Sequence, residues 1–177
     1  MANEIVVLGG GCFWCTEAIF KMLRGVVSVV PGYAGGTSIA PNYDSVSMGK
    51  TGHAEVIKIE FDPGKIPFDD LLNVFFHTHN PTTLNQQGAD TGTQYRSIIL
   101  YTTDEQKKIA EDLIKELDES GEFKNTIVTD VQALDKFHEA EDYHKDYFAR
   151  NSANPYCEVV ISPKLQKLRE KYREQLK

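Results

Sequence analysis

The sequence predicts an α+β fold: a ferredoxin-like split βαβ two-layer core with added C-terminal helices. Two kinds of observation lead there. Between residues 4 and 102, apolar runs suited to strands and apolar stripes suited to helices follow one another as strand–helix–strand–strand–helix–strand, the order of a split βαβ unit. Gly25 and Asp62-Pro63-Gly64 separate these runs where a chain reversal is needed, and beyond Asp104 the pattern is mainly helical.

Residues 4–9 (Ile5, Val6, Val7, Leu8) read as the first strand and 12–24 as a helix, with Trp14, Ala18 and Met22 one turn apart and Ile19 and Leu23 beside them. Gly25 stops that helix, and Val26 to Tyr33 is the second strand. Ala34 to Gly52, rich in Gly, Ser, Pro and Asn, has no sustained period and reads as a long loop, the kind that carries function in compact domains. Residues 54–61 form the third strand. Pro67 opens a second helix whose stripe is Phe68, Leu71, Leu72, Phe75 and Phe76, with Asp69 and Asp70 in the first turn, where the helix dipole favours them. Asn80 to Tyr95 is a polar loop and Ser97 to Thr102 the fourth strand. From Asp104 a third helix is expected, capped by Thr103 and Gln106, with Ile109, Leu113, Ile114 and Leu117 buried. Ile127 to Val131 is an added strand. Helices near 140–150 and 163–175 close the chain, the latter capped by Ser162 with Pro163 at its first position and a Leu165, Leu168, Tyr172 seam.

The 177 residues read as a single domain, 1–177, large enough for a proper core, with an ordinary apolar share of 41% and charged share of 25%. A net charge of −7 argues against nucleic acid as a partner, because phosphate contact rests on a basic surface. No segment has the length and apolarity of a membrane span or the tripartite order of a secretory signal. Three cysteines, an odd number, do not read as a secreted disulfide framework. A reducing, cytoplasmic setting with cysteine used for chemistry is expected.

The run Gly9-Gly10-Gly11-Cys12-Phe13-Trp14-Cys15 is the most informative stretch. It places Cys12 where a helix begins, and unpaired N–H groups there favour an anion, so the expectation is a thiolate-prone nucleophile. Cys15, one turn on, can pair with it. In strand 54–61, Glu55 shares its face with Ile57, Ile59 and Phe61, so a carboxyl group points toward the core. Burial raises such a pKa and makes Glu55 a proton donor, unless it lies past the strand end in water. The loop Asp90-Thr91-Gly92-Thr93-Gln94-Tyr95-Arg96 delivers polar groups to a strand mouth, and Tyr43 is an aromatic hydroxyl in the first long loop. His77, His79, His138 and His144 with the cysteines raise a zinc site. Yet Cys15 belongs within an amphipathic helix rather than a loop knuckle, and His77 and His79 sit where they satisfy helix-end carbonyls, so no metal is expected.

Gly11-Cys12-Phe13-Trp14, Gly52-His53-Ala54-Glu55-Val56 and Gly92-Thr93-Gln94-Tyr95-Arg96-Ser97 resemble, in order and spacing, the A-type peptide methionine-sulfoxide reductases, and the similarity runs from Ile5 to about Lys164. The resemblance implies Cys12 as nucleophile, Glu55 as acid, Tyr43, Asp90 and Tyr95 as the rest of the polar site, and Phe13 and Trp14 as the pocket for the sulfoxide methyl. His144, Tyr147 and Tyr156 match further positions near that pocket. It implies thiol-dependent reduction of the S epimer of methionine sulfoxide, in proteins or as the free amino acid, through a sulfenic acid and an intramolecular disulfide. That activity repairs oxidised protein without metal or organic cofactor, in a monomer served by thioredoxin or a similar dithiol. The family usually has glycine where this chain has Cys15. Cys157, after Asn154-Pro155-Tyr156, lies where many members carry a resolving cysteine, but without the glycine-rich tail that often follows. Cys157 is preferred as resolving thiol because a Pro/Asn-rich hinge precedes it; Cys15, or a relay through both, stays open. The rival readings are a thioredoxin-like CxxC dithiol oxidoreductase, whose alternation of elements does not match, and a peptide-binding module without sulfenic acid chemistry.

Overall fold

The computed structural model describes residues 2–177. Strand β1 (Glu4–Gly9) runs into helix α1 (Phe13–Phe20), and Gly25, at φ +93°, turns the chain into β2 (Val26–Ala34). A Cβ at Gly25 would meet Ile66 at 2.7 Å, so the turn needs glycine for space as well as for φ. The next loop holds a short helix α2 (Tyr43–Ser47), followed by β3 (Ala54–Phe61) and α3 (Phe68–Thr78). A ribbon of β4 (Gln86–Gln87) and β5 (Asp90–Thr91) and a 3-10 turn at Thr93–Tyr95 lead into β6 (Ile98–Tyr101). Helix α4 (Asp104–Ser120), strands β7 (Asp130–Ala133) and β8 (Phe137–Glu139), and helices α5 (Tyr147–Arg150) and α6 (Ser162–Lys171) complete the order.

The architecture is mixed α+β, with a six-stranded sheet of order β7-β6-β1-β3-β2-β8. β3 lies antiparallel to both β1 and β2, pairing Leu8 with Ile57 and Tyr33 with Glu55, and β6 lies antiparallel to β1. β7 extends one edge in parallel to β6, and β8 extends the other, antiparallel to β2. Alternation sends Val6, Leu8, Ile57, Ile59 and Phe61 to one face, where they join Phe20, Leu71, Phe75, Phe76, Leu113, Leu165 and Leu168 from the helices in the main core. Burial of each such side chain contributes about 2 kcal/mol. Val7, Ala34, Ala54, Val56, Ile98 and Leu100 form a smaller cluster on the opposite face, under Leu134 and Phe137.

Several expectations need correction. The stretch read as loop between 34 and 52 contains α2, started by a capping box in which Asn42 Oδ1 accepts from Ser45 N (2.8 Å) and Ser45 Oγ from Asn42 N (3.0 Å). The added strand forms at Asp130–Ala133, while Ile127 is buried and its N–H donates to Asp118. β8 was not expected. In α4, Thr103 caps as foreseen, but Gln106 Oε1 accepts from Thr102 N–H, and Ala110 replaces Ile109 and Ile114 among the fully buried positions. The late helix near 140–150 is a 3-10 turn at Asp142–His144 and then α5, broken by Asp146 at φ +53°. Ser162 does not cap α6, because a π-helical turn at Cys157–Ile161 runs straight into that helix.

Candidate active site

The strand–glycine–helix junction brings backbones close together. A Cβ at Gly9 would lie 3.0 Å from Glu55 O, and one at Gly11, where φ is +94°, would lie 2.7 Å from the Gln87 side chain. Cys12 occupies the N-cap of α1 with extended ψ (129°), and its carbonyl accepts from Cys15 N (3.1 Å) and Thr16 N (3.4 Å). One of the free N–H groups of this first turn is used at once: Phe13 N donates to Glu55 Oε1 at 3.2 Å. Glu55 reaches it from β3, on the face expected from the strand's alternation, and is 2% exposed. Burial pushes its pKa up to about 8, against the pull of the Phe13 N–H and with a further push from Asp90. Near neutral pH the carboxyl group holds a proton.

Cys12 departs from the expectation of a resting thiolate. Burial pushes its pKa up, and Glu55 and Cys15 add to the shift, while the Trp14 N–H and the Tyr156 hydroxyl oppose it. Desolvation outweighs the helix end here. The resting centre is therefore a neutral thiol beside a neutral acid.

An aromatic box surrounds this pair. Tyr147 stacks on Trp14 at 3.7 Å and 6°, Tyr156 meets the indole edge-on at 5.8 Å, and Tyr43 lies 6.5 Å from both Phe13 and Trp14. Trp14 Nε1–H donates to His144 Nδ1 (3.0 Å), which assigns the proton of this buried, neutral histidine to Nε2, an atom without a partner. Phe13 is wholly buried, against Tyr33 at 5.7 Å and His144 at 4.9 Å. Tyr43 and Tyr95 stay protonated: burial first, then the Glu55 carboxyl, raises both, Tyr43 to about 12. Asp90, on β5, accepts from Tyr156 OH at 2.9 Å, and the same hydroxyl lies 3.9 Å from Cys15 Sγ. All three cysteines are free thiols. Cys157 is wholly buried on the π-helical turn, which packs against α1.

Sequence reasoning missed the groups that hold these elements in place. Glu141 Oε1 accepts from Tyr33 OH (2.8 Å) and Oε2 from Tyr43 N (3.0 Å), which fixes the start of α2 over the pocket. Arg96 donates to the carbonyls of Thr93 (2.8 Å), Gly52 (2.9 Å) and Gly35 (3.4 Å), so it ties both ends of the 34–52 loop to the loop before β6. His53 Nδ1 accepts from Gly36 N (3.0 Å), and Nε2 donates to Ser38 O (2.8 Å). His77 and His79 bond helix-end carbonyls, as expected. Among the described residues no group of three or more His, Cys, Asp or Glu side chains is placed to hold a metal ion. A hollow of about 880 Å³ is lined by His77, Gln87, Lys164 and Lys171, with no cysteine in its wall.

The family model for peptide methionine sulfoxide reductase matches residues 4–176. The chain belongs to that family. Reduction of methionine sulfoxide is its activity, and it is an oxidoreductase. The peptide methionine sulfoxide reductase MsrA of Saccharolobus solfataricus is 49% identical over 174 residues, 98% of this chain and 97% of the relative. That of Thermus thermophilus is 49% identical over 177 residues, 100% of this chain and 99% of the relative. Among solved structures, Mxr1 of Saccharomyces cerevisiae in reduced form is 34% identical with a TM-score of 0.82, covering 88% of this chain and 90% of that one. Its unusual oxidised form, at 32% identity over 85% and 82%, has a TM-score of 0.65. Methionine sulfoxide reductase A of Corynebacterium diphtheriae, 32% identical, has a TM-score of 0.77 over 85% and 76%.

Proposed function

We propose that Cys12 is the nucleophile of this reductase and Glu55 its acid, with Tyr43, Tyr95 and Asp90 completing the polar site. The sulfoxide S–O bond leaves sulfur electrophilic. Cys12 sulfur attacks it while Glu55 passes its proton to the oxygen, and Glu55 then takes up the thiol proton. The attack joins Cys12 sulfur to the methionine sulfur, which now carries a hydroxyl. That S–S bond then breaks as the hydroxyl passes from the methionine sulfur to Cys12 sulfur, so methionine departs and Cys12 keeps the oxygen as a sulfenic acid. Hydroxyl donors Tyr43 and Tyr95 face the developing charge, and donors of this kind are worth roughly 3 kcal/mol each. Phe13 and Trp14, backed by His144, Tyr147 and Tyr156, form a dry wall for the methyl group. The observation that carries this reading is the 3.2 Å bond from Phe13 N to a protonated, buried Glu55, because it sets the acid against the residue that follows the nucleophile.

The substrate is the S epimer, in proteins and as the free amino acid. A second thiol, Cys157 or Cys15, condenses with the sulfenic acid, and thioredoxin or a similar dithiol reopens the bridge. Mxr1 has been solved in complex with Trx2. Such turnover suits the reducing cytoplasm; among the described residues no helix is long and apolar enough to cross a membrane. The enzyme works as a monomer, with 1–177 as one catalytic unit. The central order β6-β1-β3-β2, antiparallel throughout, supports describing that unit as ferredoxin-like. Cys12→Ser tests the core of the proposal: turnover is expected to vanish in a folded protein, and retained reductase activity contradicts it.

A further inference from the structure

The three thiols are not equivalent toward Cys12. We propose that Cys15 is the first thiol to condense with the Cys12 sulfenic acid, and that Tyr156 and Asp90 form the relay that takes its proton. The inference rests on Cys12 being the nucleophile, and it assigns Tyr156 and Asp90 a second task beyond lining the methionine pocket.

Backbone geometry comes first. Cys12 is the N-cap and Cys15 the N3 residue of α1, positions whose side chains meet in a capping box. Cys15 N donates to Cys12 O at 3.1 Å, a tight four-residue turn, which keeps the two Cα atoms within about 7 Å, the range a disulfide spans. The two thiols therefore share one helical turn within the reach of a bridge, whereas Cys157 is buried on a separate turn.

The hydrogen bonds give the proton a direction. Tyr156 OH donates to Asp90 Oδ2 at 2.9 Å, so its oxygen is free to accept from Cys15 S–H, 3.9 Å away. Burial above all, with Asp90 and Cys157, raises the Cys15 pKa, and Lys164 opposes the rise. A buried thiol of this kind needs an acceptor to react. The Cys15 proton moves to Tyr156 oxygen as the tyrosine proton moves to Asp90. Cys15 sulfur then attacks Cys12 sulfur. The S–S bond forms, the Cys12 S–O bond breaks, and the hydroxyl leaves as water with a proton from Glu55. Asp90 later returns a proton to solvent and Glu55 regains one, so water and the disulfide are the only products.

The test is a single turnover with stoichiometric methionine sulfoxide and no reductant, quenched over time, with dimedone reading the remaining sulfenic acid and mass mapping reading the bridge. The first bridge is expected to be Cys12–Cys15 in the native enzyme and in Cys157→Ser. Cys15→Ala and Cys15→Ser should lengthen the sulfenic acid lifetime by at least about tenfold. Tyr156→Phe and Asp90→Asn should slow sulfenic acid decay at neutral pH, with a deficit relative to the native enzyme that narrows as rising pH ionises Cys15 unaided, a convergence that a merely structural loss would not give. A first bridge between Cys12 and Cys157, an unchanged lifetime in Cys15→Ala, or a pH-independent loss in Tyr156→Phe overturns the inference alone. Absence of methionine, or of sulfenic acid on Cys12, in the native enzyme overturns the underlying reading as well.

Discussion

A carboxyl group that keeps its proton near neutral pH is the least ordinary residue-level feature of this enzyme. Glu55 owes that state to desolvation, and the same desolvation has a thermodynamic consequence. An unfolded glutamate titrates near ~4.3, and the folded value is about 8, so the native state binds the proton more tightly. Stability from this group is full below the unfolded value and is lost as pH rises through the folded one. Glu55→Gln removes the dependence. Thermal melts by circular dichroism should show the variant level with the native enzyme near pH 4 and more stable near pH 9, by a margin on the order of a few kcal/mol. Reduction of sulfoxide should fall about 10²- to 10⁴-fold in the same variant, and in the native enzyme it should decline above about pH 8 as the acid is lost. Identical stopped-flow rates for the two proteins across that range would remove Glu55 from the acid role. Burial is also why Cys12 could not be judged from its helix position alone: the glycines and the helix start were visible in the sequence, the desolvation was not.

Elements were legible in proportion to their length and regularity. β3 and α3 carry uninterrupted alternation and a full apolar stripe, and both fall where the pattern put them. α2 and β8 are five and three residues long, too short to show a period, and their positions are set by tertiary partners such as Glu141 and β2. The start of α6 was misplaced because Ser162-Pro163 looks like a helix beginning, while the preceding residues already coil in the π-helical turn. Arg96 was read as one more polar group at a strand mouth, and only contacts across the chain identify it as the latch between two loops. Arg96→Leu should therefore lower kcat/KM by about tenfold or more while also lowering Tm, because Gly52 precedes Glu55 by three residues and Thr93 precedes Tyr95 by two. Gln106 provides the contrasting case. It is buried and bonds Thr102 N, Ile5 O and Glu4 at the far end of the sheet, so Gln106→Ala should cost about 2 kcal/mol in denaturant unfolding and leave sulfoxide reduction intact.

For the whole molecule, the sheet is the base against which the helices and the chain after Asp142 pack. The inward positions of β1 and β3 are buried, and Cys157 sits on a π-helical turn that follows an Asn- and Pro-containing bend. Amide exchange on the enzyme carrying the Cys12–Cys15 bridge should stay slow in β1 and β3 and unchanged over 151–161; faster exchange over 151–161 would show that this bridge is not a local event. The central claim remains chemical, namely that the Cys12 thiol facing protonated Glu55 takes the oxygen of the sulfoxide. Its most direct test is a Cys15→Ser, Cys157→Ser double variant given stoichiometric methionine sulfoxide without reductant, with methionine and dimedone-trapped sulfenic acid counted together. The account predicts equal amounts of methionine and of adduct, all of it on Cys12; methionine released without a Cys12 adduct would contradict it.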